Sequence, residues 1–505
     1  MNNYIVRQKD IEILMQSDKT LFYKLELLNK NMKVLDVIEG NLISDNISIS
    51  SDSDVRRTYT CELFVSNSTF DIGYDKRIWM DKRIRPYIGI LHQRSLEVVW
   101  YCLGTYIFVD TNFNYDSTNR TLSLTCNDLM CLLNGVMGGN LPDYKRTITA
   151  GTDARTIIID LLKEVGITKY FIEFNINNNS MSTFEISYDM VYNCGATAYQ
   201  IINELITLYP GTQMYFDVNG VFVIDRIPTS ENEIVVLNDD ILQPILISEQ
   251  LNTSFKDIYN HIEIWGRVNE PQYFSKDVTC TDNVYNVNLV VHKLNESTGE
   301  YEEIEFSEEI NNFETFGLLI PETNQAEQYI NINNIGNVKI VDDSGNPLEA
   351  NLLNARRDNV FRYRKDINAF TFVGEYQCFS ELYITNNATD TSPNAIIDTD
   401  NEYAIEKIGD KLKVLSGGDL DKIPTSSLCR DRCKYELVNA TNKQINLSLN
   451  TLAICWLDVN HLIEFTSNSN NKKDTYIIDN INCNFAEHSM SISAHKYFAE
   501  FISMK

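Results

Sequence analysis

The stretch between residues 150 and 228 changes hydrophobic period twice, and that change constrains the fold more than any other feature of the chain. Asp153 stands where a helix N-cap is expected. Ile157, Ile158, Leu161, Leu162 and Val165 follow at helical spacing, and Gly166 stops the run. Thr197 opens a second helix with Gln200 three residues on, the pattern of a capping box. Its apolar stripe is Ala198, Ile201, Ile202, Leu205 and Ile206, and Pro210-Gly211 ends it. The period then falls to two. Met214 to Val218 and Val221 to Ile224 are apolar runs joined by Asn219-Gly220. Asn-Gly between two such runs predicts a tight hairpin, because both central residues of the favoured turn need positive φ. Residues 151–228 are therefore expected to form a small α/β domain.

The flanks read as strands. Lys24 to Leu28, Arg57 to Val65 and Thr121 to Cys126 carry apolar residues at strand spacing. Leu96 to Asp110 reads as two strands about Leu103-Gly104. Asn127-Asp128 is expected to cap a short helix over Leu129 to Asn134, ended by Gly135. Beyond residue 229 come a strand at His261 to Gly266 and a helix over Ser426 to Val438. The last strands are Leu462 to Thr466, Thr475 to Ile481 and Met490 to Ala494. Around 270–400 the pattern loosens into Asn-rich and acidic stretches, read as an inserted β-rich domain. The fold class is α+β, mostly β. The 27 Tyr and 23 Phe agree, since these residues fit a pleated, half-buried surface. No repeat period marks a solenoid or a propeller.

The formal net charge is -27. Stable nucleic-acid binding needs clustered Lys and Arg to displace counterions, so none is expected. The 11 Cys are odd in number and scattered, which predicts buried thiols rather than a disulfide framework. The sequence shows no signal-peptide core and no run of ~18 apolar residues, so no membrane anchor is expected.

Catalytic signatures are absent from the sequence: no H-E-x-x-H, no G-x-S-x-G and no P-loop. No catalytic, cofactor-binding or metal-binding residue is expected. Cys429 and Cys433 lack a second pair at zinc-site spacing, and Cys126 and Cys131 read the same way. Asp398-x-Asp400-x-Glu402 lacks the glycine and distal glutamate of a calcium loop and reads as a solvated turn. One cluster stands out. Lys76, Arg77, Lys82, Arg83 and Arg85 surround Trp79. In so acidic a chain they are expected to form a subunit-interface or interdomain surface rather than a nucleic-acid site.

Three stretches carry a resemblance to a known family. They are Val98 to Asn134, Gly151 to Arg226, and the pair Asn260 to Gly266 with Tyr476 to Phe501. The resemblance that they carry extends over about two-thirds of the chain. In their order this sequence resembles the baseplate hub proteins of contractile-tailed phages and the related tail-tip hubs. That resemblance implies two similar small hub β-barrels, over 1–150 and over 229–269 plus 401–505. The α/β domain at 151–228 would lie between them and 270–400 would be inserted. It implies a structural virion protein of the tail baseplate, assembled in a host bacterial cytoplasm. Such a protein is a homotrimer joining the tail tube protein to the tip spike protein, in contact with other baseplate proteins, around a channel for DNA. A tail-associated cell-wall hydrolase and a receptor-binding adhesin are the competing expectations. The first requires a cleft with perturbed acids.

Overall fold

A computed structural model describes residues 6–497 apart from short stretches at 66–69, 75, 116–119, 143–144, 175–184, 187, 229–233, 295–300, 307–308, 326, 343, 354, 356–357, 443–444 and 486. The chain is strand-rich, as its alternating runs dictate. Leu42–Ser50 and Arg57–Phe64 bury every second residue, and such strands must press one face on a core. They pair antiparallel in register, Ile47 opposite Tyr59.

The two flanking strand groups do not stay apart. Ile47 to Ser50 pairs antiparallel with Asn480 to Cys483, and this contact joins the N-terminal and C-terminal strands into one fourteen-stranded sheet. One contiguous core lies against it. That core takes Leu25, Tyr59 and Leu124 from the first group, and Leu447, Ile478 and Ile492 from the second. The sequence leads to two barrels; hydrogen bonding gives one continuous sheet. Neither group closes on itself, so Leu42–Ser50 and Lys473–Asn484 would be left as open edges, and they satisfy each other by pairing.

The stretch expected as a second barrel, 229–269 plus 401–505, divides between two sheets. Leu246–Thr253, Ile445–Leu452, Lys473–Asn484 and Ser489–Lys496 join the large sheet. His261–Val268 instead pairs with Gln377–Thr385 on one side and Leu412–Leu415 on the other, and Ala395–Ile397 adds a fourth strand. Helix Ser426–Asn442 covers that sheet and packs Leu428, Cys429, Cys433 and Leu437 on Ile262 and Ile264. The expected insertion therefore loses strands 377–397 to its neighbour. Eight of the strands between Tyr273 and Glu375 form a separate sheet with its own core, and Val290–Leu294 pairs with Tyr301–Glu305 apart from it. Alternation reveals that a segment is a strand, but leaves its partner undetermined.

The α/β segment follows its sequence closely. Asp153 caps helix Ala154–Glu164 by accepting from Thr156 N–H, and Thr197 caps Ala198–Thr207 by accepting from Gln200 N–H. The reciprocal half of the capping box is not made: the Gln200 amide donates to Glu204 at 3.2 Å instead. Thr212–Phe216 and Phe222–Arg226 form the expected hairpin, but through the longer connection Asp217–Val221, in which Gly220 has positive φ and Asn219 does not. Among the described residues, no helix is long and apolar enough to cross a membrane.

One acid fixes an edge of the large sheet. Glu249, in strand Leu246–Thr253, accepts from Ser467 Oγ at 2.9 Å and from the Ser469 N–H and Oγ at 2.9 and 2.8 Å. Asn468 adds its N–H and Nδ2 at 3.1 and 3.0 Å. Partial burial pushes the carboxyl up, but these donors outweigh it and hold its pKa at about 2. A carboxyl depressed in the folded state stabilises above its unfolded pKa of about 4.3. Glu249→Gln is therefore expected to be less stable than the parent at pH 7. The gap should close as pH falls from about 4 toward 2. Urea unfolding of both chains across that range measures it, and a gap independent of pH would contradict it.

Candidate functional site

The hairpin predicted from Asn219-Gly220 is the tip by which the α/β segment docks on the large sheet. Asp217 Oδ1 accepts from the N–H groups of Asn219 and Val221 at 2.9 and 2.8 Å and shapes the turn. Gly220 has φ +76°, and a Cβ there would lie 3.0 Å from Leu129 Cδ1 and 3.1 Å from Met32 Cε. The tip is thus pressed onto its neighbours, and its carbonyls need donors. Three side chains of the sheet region supply them. Arg57 Nη1 donates to Phe216 O at 2.6 Å, Thr105 Oγ1 to Val218 O at 2.9 Å and Arg85 Nη2 to Asn219 O at 3.1 Å.

Arg57 is the centre of this junction. It is the first residue of strand Arg57–Phe64 and shares the buried face with Tyr59, Cys61 and Leu63. Its N–H donates to Asp128 Oδ2 at 2.9 Å, and Asp128 Oδ1 accepts from Met130 N–H at 2.9 Å at the start of the short 3-10 helix. The guanidinium forms an ion pair with Asp458. Beside it the Arg56 guanidinium lies 4.0 Å over the Tyr215 ring and donates to Gln213 Oε1, which also accepts from Asn460 Nδ2 at 2.6 Å. Three parts of the chain meet here: the head of a central strand, the docked hairpin and the loop before Leu462.

Burial sets the protonation states, and charge then opposes or reinforces it. It pushes the Asp128 carboxyl up to about 6, against the pull of the Arg57 and Met130 N–H groups. Burial works against charge on Arg57 and Asp458 as well. Their mutual attraction wins, raising the arginine and lowering the acid. Burial also raises Asp225, whose Oδ2 accepts from Tyr215 O–H at 3.1 Å. Alongside the junction runs a cleft of about 350 Å³. Its lining includes the charged Arg57, Asp225 and Asp458 and the apolar Ile49, Trp456 and Met490. What these charged groups do chemically is hold one segment to another.

Three members of the predicted basic cluster have acidic partners close by. Lys76 pairs with Asp71 at 3.7 Å, Arg77 with Asp36 at 2.6 Å and Lys82 with Asp81 at 2.5 Å. Trp79 is half-buried in the turn before strand Lys82–His92. Arg83 is buried, with Nη1 on the carbonyls of Met80 and Lys82 at 3.3 and 2.9 Å. Only Arg85 reaches the junction. The residues that sequence reasoning missed are Arg56, Arg57, Gln213 and Asp458. The signal for Arg57 was present: an arginine in phase with Tyr59, Cys61 and Leu63 on an alternating strand has to be buried and paired.

Cys429 and Cys433 are buried, and burial pushes both up, Cys433 to about 12. Asp398 accepts from Asp400 N–H at 3.2 Å and Asn401 Nδ2 at 3.0 Å, as a turn residue does. Among the described residues no group of three or more His, Cys, Asp and Glu could hold a metal ion.

Residues 400–501 match a family described as a domain of unknown function, DUF5048. A curated relative, bacteriochlorophyllide d C-8(2)-methyltransferase of Chlorobaculum tepidum, is 25% identical over 177 residues, which span 34% of this chain and 39% of that protein. Solved structures that the chain resembles include phage tail proteins, the phage P2 baseplate and a Francisella PdpA-VgrG complex. The 43 kDa tail protein of prophage MuSo2 from Shewanella oneidensis has a TM-score of 0.48 at 10% identity, over 95% of this chain and 100% of that one. A tail protein from Neisseria meningitidis MC58 has 0.46 at 7%, over 95% and 98%. A prophage tail protein from Listeria monocytogenes EGD-e has 0.44 at 8%, over 95% of each chain.

Proposed function

We propose that this chain is a structural hub of a phage-type tail, a homotrimeric ring that joins the tail tube to the tip spike and encloses the DNA channel. The observation that carries the reading is the single sheet built from both ends of the chain, over one core. It sets two strand groups side by side in one sheet, so that three copies would offer six groups to a sixfold tube. The junction at Arg57 supports the same reading, because its buried charges fix the α/β segment in place. The acidity fits a channel wall, since a net charge of -27 repels a polyanion rather than binding it. Lys76, Arg77 and Lys82 are then neutralised by acids of their own chain before any subunit contact forms, so the predicted basic patch would contribute shape more than charge.

The test is the assembly state. Light scattering after size exclusion should give three times the mass of one chain, and negative-stain class averages should show a threefold ring. A monomer at high concentration that does not bind tail-tube protein would overturn the reading. Clearing of bacterial cell walls in a zymogram, lost on replacing one carboxylate, would favour the hydrolase instead.

A further inference from the structure

A second cleft, of about 520 Å³, takes its lining from the loop at 51–54, from helices Ala198–Thr207 and Ser426–Asn442, and from the strands that carry Asp479 and His495. The volume is that of a small-molecule site, ~300–1,000 Å³. Each helix sends it a tyrosine and, one turn on, an asparagine: Tyr199 with Asn203, and Tyr435 with Asn439. Helix Ser426–Asn442 buries Cys429, Cys433, Leu437 and Ala440 against its sheet, which leaves the stripe of Arg432, Tyr435 and Asn439 to the cleft. The charged groups of the lining already have partners within the chain. Arg432 pairs with Glu436 at 2.8 Å, and Arg56 donates to Gln213 Oε1. Asp54 accepts from Tyr199 O–H at 2.5 Å, Asp419 from Asn203 Nδ2 at 3.1 Å and Asp479 from His495 Nδ1 at 2.8 Å. Asp52 is exposed and accepts from Ser51 Oγ at 3.4 Å. The side chains of Tyr435 and Asn439, by contrast, hydrogen-bond to no described residue.

We propose that this cleft binds a neutral saccharide of one or two rings. The groups left to meet a ligand are themselves neutral: a phenol that both donates and accepts, and an amide with two donor hydrogens and an acceptor oxygen. Sugar hydroxyls answer both, since each donates and accepts. The C–H faces of a sugar ring cover the apolar body of a phenol ring, whose polar tip stays in reach of a hydroxyl. An anion meets four aspartates against two arginines that are already engaged, so it is repelled. A cation finds three of those aspartates satisfied. Among the described residues no group of three or more His, Cys, Asp and Glu could hold a metal ion. The site lies within one chain and does not depend on the assembly proposed above.

The test is saturation-transfer NMR on the intact chain. The neutral probes are glucose, galactose, mannose, N-acetylglucosamine, maltose, lactose and chitobiose. At least one should bind saturably, one to one. Glucosamine, a cation, and glucuronate, an anion, should bind more weakly than that probe by about tenfold. Tyr435→Phe keeps the ring and loses the hydroxyl, and Asn439→Asp keeps the shape and loses both donor hydrogens. Each should weaken the neutral probe by about tenfold, the worth of one hydrogen bond, with thermal unfolding unchanged. Both are near-isosteric, and if one variant does not fold the other carries the comparison. Binding of none of the neutral probes, equal or tighter binding of glucosamine or glucuronate, or unchanged binding by the folded variants would overturn the proposal.

Discussion

Arg57→Met is expected to lower stability by about 3 kcal/mol, among the largest losses of any single substitution in this chain. The side chain is only 3% exposed, and its removal strips Phe216 O of a donor and Asp458 of its countercharge. Breaking a buried pair on one side costs about 3–5 kcal/mol, because the remaining charge is left uncompensated. The lower end applies here, since Asp458 is 22% exposed and keeps some hydration. Loss of the Phe216 contact should also loosen the docked hairpin. Denaturant unfolding gives the loss, and hydrogen exchange at residues 216–222 should rise in the variant under native conditions. Asp458→Asn should cost less, because an amide still accepts a hydrogen bond. The double variant should lose less than the two singles added, by about 0.5–3 kcal/mol of coupling. Strict additivity, or an unchanged hairpin, would mean that the junction does not hold the α/β segment.

That junction was half legible in the sequence. The hairpin could be read from Asn219-Gly220, the helix stops from Gly166 and Pro210-Gly211, and the strand Leu462–Thr466 from its composition. These are local signals, set by φ preferences and short periods. What they dock against is set by contacts hundreds of residues away, such as Arg57 with Asp458, and local pattern does not encode it. The same limit explains why Lys473–Asn484 was recognised as a strand while its pairing with Leu42–Ser50 was not. Short helices failed for another reason. Gln8–Leu14 buries only Asp10, Ile13 and Leu14, and Asp239–Ile245 contains Pro244, so neither shows a stripe. Helix Ser426–Asn442 presents Cys429, Cys433, Leu437 and Ala440 to its sheet at spacings of four, four and three. Its stripe is visible once cysteine is counted as a small apolar residue.

That stripe makes the second large effect predictable. Gly266, in strand His261–Val268, lies directly beneath the helix. A Cβ there would stand 2.7 Å from Cys429 Sγ and 2.8 Å from the Ile423 carbonyl oxygen. The sulfur could swing away, but the carbonyl is held, because Arg267 N–H donates to it at 3.0 Å. Gly266→Ala should therefore push the segment before the helix off the four-stranded sheet and cost about 1–3 kcal/mol, the range for forcing a methyl into a packed core. Gly138→Ala is the matched control, since a Cβ there meets only ordinary contact with the Leu132 carbonyl at 3.4 Å, and it should be near neutral. Pairing Gly266→Ala with Cys429→Ala removes the sulfur clash and leaves the carbonyl clash, so recovery should be partial. Complete recovery would show that the helix, not the backbone at Ile423, sets how closely the two layers approach. No loss in the single variant would show that they are not in contact at this glycine.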